Sequence, residues 1–190
     1  MSIGFYFDMT RCTGCRACQV ACKDKNRLEV GNIFRNAHTF SVGSFPSVKA
    51  YSISVSCNHC EKPACFAACP SGAIEKRDDG AVVINKETCI GDGSCVEACP
   101  YGVPEIMPDG KGGKCDSCYM IREAGGTPAC VAACPNRALD FGEYDELVSK
   151  YGEGLVNEVA VLPAADQTNP SLLIKAKDSA KESGFVEVTW

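Results

Sequence analysis

The chain has 190 residues, 15 of them cysteine, and a formal net charge of −5. Without cysteine the hydrophobic fraction drops to about 37%, and Leu, Ile, Val and Phe supply only about a fifth of positions, so disulfides or metal centres must replace part of an ordinary apolar core. The negative charge and the lack of a basic patch argue against nucleic acid or an anionic membrane surface as partner, and no uncharged stretch approaches the roughly 18 to 20 apolar residues that span a bilayer.

The amino end, Met1-Ser2-Ile3-Gly4-Phe5, has neither a basic region nor a cleavage site, and Cys12 follows too soon for a removable leader. Export is therefore expected to depend on another polypeptide's signal. Residues 3–8 alternate as a strand leading into a first cysteine group, Cys12, Cys15, Cys18 and Cys22, spaced C-x2-C-x2-C-x3-C with Lys23 in place of a following proline. Residues 27–50, with Phe34, Phe40 and Phe45 among glycines and serines, read as an insertion. Residues 51–56 alternate as a second strand leading into Cys57, Cys60, Cys65 and Cys69, spaced C-x2-C-x4-C-x3-C-P. Between Cys69 and Cys89 a short segment at Ala73-Ile74, an Asp79-Gly80 turn and an alternating run at 81–84 predict a hairpin.

The third group, CIGDGSCVEACP, places Cys89, Cys95 and Cys99 on the same template, with Asp92 where a second cysteine is due. The linker that follows, PYGVPEIMPDGKGGK, contains Pro104, Pro108 and several glycines, so no equivalent strand pair is expected there. The fourth group, Cys115, Cys118, Cys130 and Cys134, is spaced C-x2-C-x11-C-x3-C-P. Residues 116–124 read as a short helix ended by Gly125-Gly126, and residues 145–151 as another. Residues 152–190 lack cysteine and contain alternating pieces such as 171–176, which fit either an arm laid on a partner or one folded back on the rest of its own polypeptide.

Fifteen cysteines plus Asp92 make sixteen donor positions, or four sites of four. The repeat of PACFAACPSGAI at 63–74 in PACVAACPNRAL at 128–139 extends beyond the cysteines into small alanines, which marks a duplicated supersecondary unit. Structural zinc does not explain the threefold recurrence of C-x3-C-P. An odd cysteine count without a secretory signal does not fit a disulfide framework. Iron–sulfur clusters explain both the spacing and the repeat.

In two-cluster ferredoxins the last cysteine of a motif crosses to the other cluster. The hairpin joins groups two and three, which leaves one and four to pair. Four ligand sets are expected. The first is Cys12, Cys15, Cys18 and Cys134; the second Cys22, Cys115, Cys118 and Cys130; the third Cys57, Cys60, Cys65 and Cys99; and the fourth Cys69, Cys89, Asp92 and Cys95. The expected fold is α+β: two ferredoxin-like dicluster units with loop insertions and a C-terminal arm. The first unit comprises residues 1–50 and 111–150, the inserted second unit 51–110, and the arm 151–190. With fifteen thiolates and four cores, the net charge of the loaded protein becomes roughly −12.

The opening FYFDMTRCTGCRACQVACKD, the segment SISVSCNHCEKPAC, the hairpin CPSGAIEKRDDGAVV, and the closing CPNRALDFG with DELVSKYG together resemble the electron-transfer B subunit of the molybdopterin oxidoreductases, most closely the dimethyl sulfoxide reductase type. The resemblance implies a non-catalytic electron-transfer subunit of an oxidoreductase complex of anaerobic respiration. Its partners would be a large subunit with a molybdenum or tungsten bis-pterin centre and a membrane anchor or other electron donor. It would be peripheral, membrane-associated through those partners, on a side left open, with a cytoplasmic location as the alternative. In such relatives the first set lies beside the catalytic subunit and the fourth nearest the membrane or external donor. The rival functions are a free-standing polyferredoxin and an electron-transfer subunit of a formate dehydrogenase or hydrogenase.

Three of the four clusters would be 4Fe-4S centres on four cysteines each, and the fourth either an Asp92-ligated 4Fe-4S centre or a 3Fe-4S centre. Gly91 and Gly93 would permit the close approach that a carboxylate ligand needs. His59, between Cys57 and Cys60, reads as a loop or supporting residue because the spacing is complete without it. Lys23, Lys25, Arg16 and Arg137 flank the motifs and are candidates either for offsetting cluster charge or for solvated surface positions. No nucleophile with its base and no phosphate loop is present, so catalysis belongs to another subunit.

Overall fold

The computed structural model describes residues 2–188; residue 1 and residues 189–190, the ends of the expected outer segments, lie outside the described residues. In chain order the elements are β1 (Ile3–Asp8), α1 (Ala17–Lys25), β2 (Arg35–Val42), β3 (Lys49–Ser56), α2 (Ala64–Ala68), β4 (Ile74–Lys76), β5 (Val82–Ile84), α3 (Ser94–Ala98), β6 (Glu105–Ile106), β7 (Gly112–Gly113), α4 (Tyr119–Glu123), α5 (Ala129–Ala132), β8 (Leu139–Glu143), α6 (Tyr144–Tyr151), β9 (Leu172–Lys175) and β10 (Val186–Glu187). The architecture is α+β, built from small sheets and short helices around the cysteines.

All six residues of β1 are buried because it is the middle strand of a sheet ordered β8-β1-β9. It runs antiparallel to β8, with Phe5 opposite Phe141, and parallel to β9, with Phe7 opposite Ile174. The insertion at 27–50 supplies β2, which pairs antiparallel with β3 over eight residues. The carboxyl end adds β10 to the outer edge of β2. The arm therefore folds back on its own protein at two sheets, rather than projecting toward a partner. Leu172, Leu173 and Ile174 are buried there, and Leu173 packs with Tyr6 and Leu147 of α6.

β4 and β5 form the hairpin expected between groups two and three. The linker after Cys99 departs from expectation, since Glu105–Ile106 pairs with Gly112–Gly113. The ladder is two residues long, and both prolines stay outside it, Pro104 just before β6 and Pro108 in the turn, so no ladder donor is lost. The helix expected over 116–124 starts only at Tyr119, because Ser117 and Cys118 have φ of 56° and 52°.

The cysteine helices end where proline dictates. A proline disfavours the helical conformation in the residue before it, and Cys69 and Cys99, preceding Pro70 and Pro100, are extended at ψ 110° and 112°. Each thereby leaves its helix at the cysteine assigned to cross over. In group one Lys23 replaces that proline, and α1 continues through Cys22 to Lys25.

A side-chain lock ties the β4–β5 turn to α4. Arg122 of α4 holds Asp79 of the β4–β5 turn at 2.7 Å and also donates from Nε to the Ser117 carbonyl oxygen. The same turn accepts the Ile3 amide at the Asp79 carbonyl oxygen.

Candidate functional site

The four motif loops share one backbone feature. The residue just before the second donor is left-handed in each: Gly14 at φ 70°, His59 at 45°, Gly91 at 73° and Ser117 at 56°. Asp92 thus stands in the same local frame as Cys15, Cys60 and Cys118. Glycine is needed in two of these loops for a second reason. A Cβ on Gly14 would meet the Ser52 hydroxyl at 2.7 Å, and one on Gly91 would lie 1.9 Å from the Gly110 carbonyl oxygen. Gly93 has open space around it and instead serves as the left-handed residue before α3.

The expected donors gather in space. Cys12, Cys15, Cys18 and Cys134 line one cavity, and Cys57, Cys60, Cys65 and Cys99 line another. Cys22 lies within electrostatic reach of Cys130 and Cys118, and Cys115 within reach of Cys22 and Cys130. Cys95 is similarly placed near Cys89, Cys69 and Asp92. Asp92 is exposed, with its carboxylate accepting the Ser94 hydroxyl. Among the described residues no three His, Cys, Asp or Glu side chains converge on a point that would hold a single metal ion. The first and third sets instead each surround a cavity.

Hydrogen-bond donors are aimed at the sulfurs. The Ala138 amide reaches Cys134 Sγ at 3.2 Å, the Gly112 amide reaches Cys89 Sγ at 3.2 Å, and the Ser117 amide reaches Cys115 Sγ at 3.4 Å. Such contacts favour thiolate and tune bound clusters. Burial pushes the thiols of Cys22 and Cys65 up to about 12 and that of Cys60 up to about 11, and holds that of Cys115 well above its ordinary value. These thiols lose their protons only to a strong competing cation, so metal loading must release protons. Cys57 and Cys69 run the other way: burial would raise both, but the His59 backbone amide and the Lys114 ammonium at Cys57, and the Ser71 hydroxyl with the Ala73 and Ile74 amides at Cys69, outweigh it and bring each below its ordinary value.

Sequence reasoning placed His59 as a loop or supporting residue and missed two buried cations, Lys114 and Arg35. His59 is 1% exposed and accepts the Val82 amide at Nδ1, 3.0 Å away. That leaves the ring proton on Nε2, 3.8 Å from Cys115 Sγ, while Cys57 Sγ lies 3.9 Å from Nδ1. Lys114 donates to the carbonyl oxygens of Val82 and Cys115 and lies 3.5 Å from Cys57 Sγ. Arg35 sits over the Phe5 ring with Nε and Nη2 buried and unpartnered. The adjacency of Lys114 to Cys115 was the only sequence signal; nothing in the pattern around Arg35 marks it. Of the four cations singled out by position, Arg16 and Arg137 are exposed and Lys23 binds the carbonyl oxygens of Glu29 and Asn32, whereas Lys25, paired with Asp116 at 3.2 Å, is near enough to Cys22 and Cys118 to favour their thiolates.

Residues 48–144 match the family model of a 4Fe-4S dicluster domain, and residues 9–26 match that of a 4Fe-4S binding domain. The protein is 44% identical over 190 residues to the B chain of the anaerobic dimethyl sulfoxide reductase of Escherichia coli (strain K12), covering 95% of its own length and 92% of that relative's. The corresponding B chain of Haemophilus influenzae is 44% identical over 191 residues with the same coverage. A thiosulfate reductase electron transfer subunit, PhsB of Salmonella typhi, is 40% identical over 143 residues, covering 73% of this protein and 74% of that one.

Proposed function

Because this protein is a member of the family of anaerobic dimethyl sulfoxide reductase B chains, we propose that it is the iron–sulfur subunit that relays electrons between a redox partner and a molybdenum or tungsten bis-pterin catalytic subunit. The observation that carries this reading is the gathering of the first and third donor sets, residue for residue, around two separate cavities. Bound there, iron–sulfur clusters would supply reversible one-electron storage. The protein's own residues would provide sixteen donors, amides that stabilise thiolate, and a fold that buries most of the cysteines away from water.

Three 4Fe-4S centres would be held by the first three sets, and the fourth by Cys69, Cys89, Asp92 and Cys95. The common left-handed loop supports Asp92 as a donor equivalent to a cysteine, with a 3Fe-4S centre as the outcome if it does not ligate. The β8-β1-β9 sheet supports joining residues 1–50 to 111–150 in one unit, with 51–110 inserted and 151–190 as an arm, while the β2–β3 ladder runs across the boundary at residue 50. The first set would face the catalytic subunit, and the fourth a membrane anchor or other donor. No helix among the described residues is long and apolar enough to cross a membrane, so membrane association would come through those partners.

Co-expression with its neighbouring genes, followed by isolation, tests the reading. A tightly bound large subunit with molybdenum or tungsten is expected. Iron should stand at about 16 per polypeptide if Asp92 ligates and about 15 if it does not, as four clusters require. A lone, fully loaded monomer at low concentration, or zinc in place of iron, would refute it.

A further inference from the structure

Four clusters leave the loaded protein with a net charge of roughly −12, much of it in the interior. Among the described residues only two lysine or arginine side chains are buried, Arg35 at 2% exposure and Lys114 at 6%. Both stand at boundaries between donor sets. Arg35 donates from Nη1 to the Ser54 carbonyl oxygen at 3.3 Å and to its hydroxyl at 3.1 Å, and that hydroxyl lies 3.4 Å from Cys18 Sγ of the first set. The other thiols that act on its charge, Cys130, Cys115 and Cys22, belong to the second set. Lys114 lies 3.5 Å from Cys57 Sγ of the third set and donates at 3.1 Å to the carbonyl oxygen of Cys115 of the second.

Among the described residues the fourth set has no buried cation. Lys111, the lysine that reaches it, is half-buried and binds the Cys89 carbonyl oxygen. A buried guanidinium with two nitrogens unpartnered is costly unless an acceptor faces it. The sulfurs of neighbouring clusters would be that acceptor.

We propose that Arg35 and Lys114 are positioning residues for the relay, each a fixed positive charge shared by two adjacent cluster sites, so that the first three clusters are made easier to reduce and the fourth lies beyond the reach of either. This rests on the four-cluster reading above. One-electron reduction adds negative charge to a cluster, and an unscreened cation nearby favours the reduced form. His59, donating from Nε2 toward Cys115 while flanking Cys57, supports the Lys114 boundary as a hydrogen-bonding partner.

The test is a redox titration followed by electron paramagnetic resonance on the intact complex carrying Arg35→Met, Arg35→Lys, Lys114→Met or Ser54→Ala. The fourth cluster is identified by its response to Asp92→Cys. Arg35→Met is expected to lower the midpoints of the first and second clusters, and Lys114→Met those of the second and third. Each shift should be at least tenfold in the reduced-to-oxidised ratio, which is about 59 mV for a one-electron couple. The fourth cluster should not move, Arg35→Lys should recover most of the shift, and Ser54→Ala should give a smaller shift confined to the first two. If Arg35→Met loses iron, Arg35→Lys and Ser54→Ala decide the matter. Loaded Arg35→Met, Lys114→Met or Ser54→Ala complexes whose four midpoints stay put, or all shift together, overturn the proposal. Fewer than four clusters in the unsubstituted complex would instead overturn the functional reading itself.

Discussion

Substituting Gly91→Ala should disable the fourth site while leaving the other three intact. The added Cβ would lie 1.9 Å from the Gly110 carbonyl oxygen, about 1.1 Å inside the closest approach real side chains tolerate. Both partners are backbone, so neither can swing aside as a side chain would. The left-handed φ of 73° adds a cost of roughly 1–2 kcal/mol for any residue with a Cβ. The segment at 110–112 that would be pushed away also supplies the Gly112 amide to Cys89 Sγ and the Lys111 ammonium to the Cys89 carbonyl oxygen. Functional constellations tolerate misplacements of only about 0.5 Å, so a displacement near 1 Å should abolish binding there. Iron should fall by about four atoms per polypeptide, with the paramagnetic signal of one cluster lost and the other three retained. Full iron content with an unchanged fourth signal would refute the argument that this close approach shapes the site.

Ile174→Ala tests whether the arm belongs to the protein's own core. Ile174 has no exposed surface, and its amide and carbonyl both bond Val156, so truncation should cost about 3–4 kcal/mol and lower Tm by roughly 6–15 °C. An unchanged Tm with weaker binding to the large subunit would contradict this. Asp79→Asn tests the tie between the β4–β5 turn and α4. Burial would raise the Asp79 carboxyl, but Arg122 and the Ala81 amide outweigh it and hold it below its usual range. The stabilisation is therefore present above the unfolded value near 3.9 and is lost as pH falls through the lower folded one. Because the pair is partly exposed, the variant should be about 1 kcal/mol less stable at pH 7. Urea midpoints of the two proteins should begin to converge as the pH falls below about 4 and meet only below the lowered folded value; a gap that persists at still lower pH would show that the carboxylate charge is not its source.

Much of the site was legible because cluster chemistry imposes local rules on the polypeptide. Short spacings such as C-x2-C define a loop, and a cysteine before proline must leave its helix, so Cys69 and Cys99 could be assigned their outward turn from sequence. Asp92 was visible for the same reason, as a gap in a repeated pattern. The strand at 3–8, the hairpin at 74–84 and the helix at 145–151 follow from alternation, turn chemistry and end charges.

Other features depend on partners distant in sequence, and these were hidden. The β6–β7 ladder was missed because prolines weigh against a strand only when they fall inside it. The arm's destination was open because an alternating run such as 171–176 fits an edge of its own sheet or of a partner equally well. Lys114 and Arg35 look like ordinary loop or strand residues, and His59 like a supporting one, until folding brings Val82, Ser54 and five thiols against them. The sequence by itself marked the fifteen cysteines and Asp92 as the expected donors, since that expectation rests on spacings of a few residues along the polypeptide. Only the tertiary structure decided which charges are buried between the donor sets, because desolvation and electrostatic reach depend on distance through space and on what excludes water around each group.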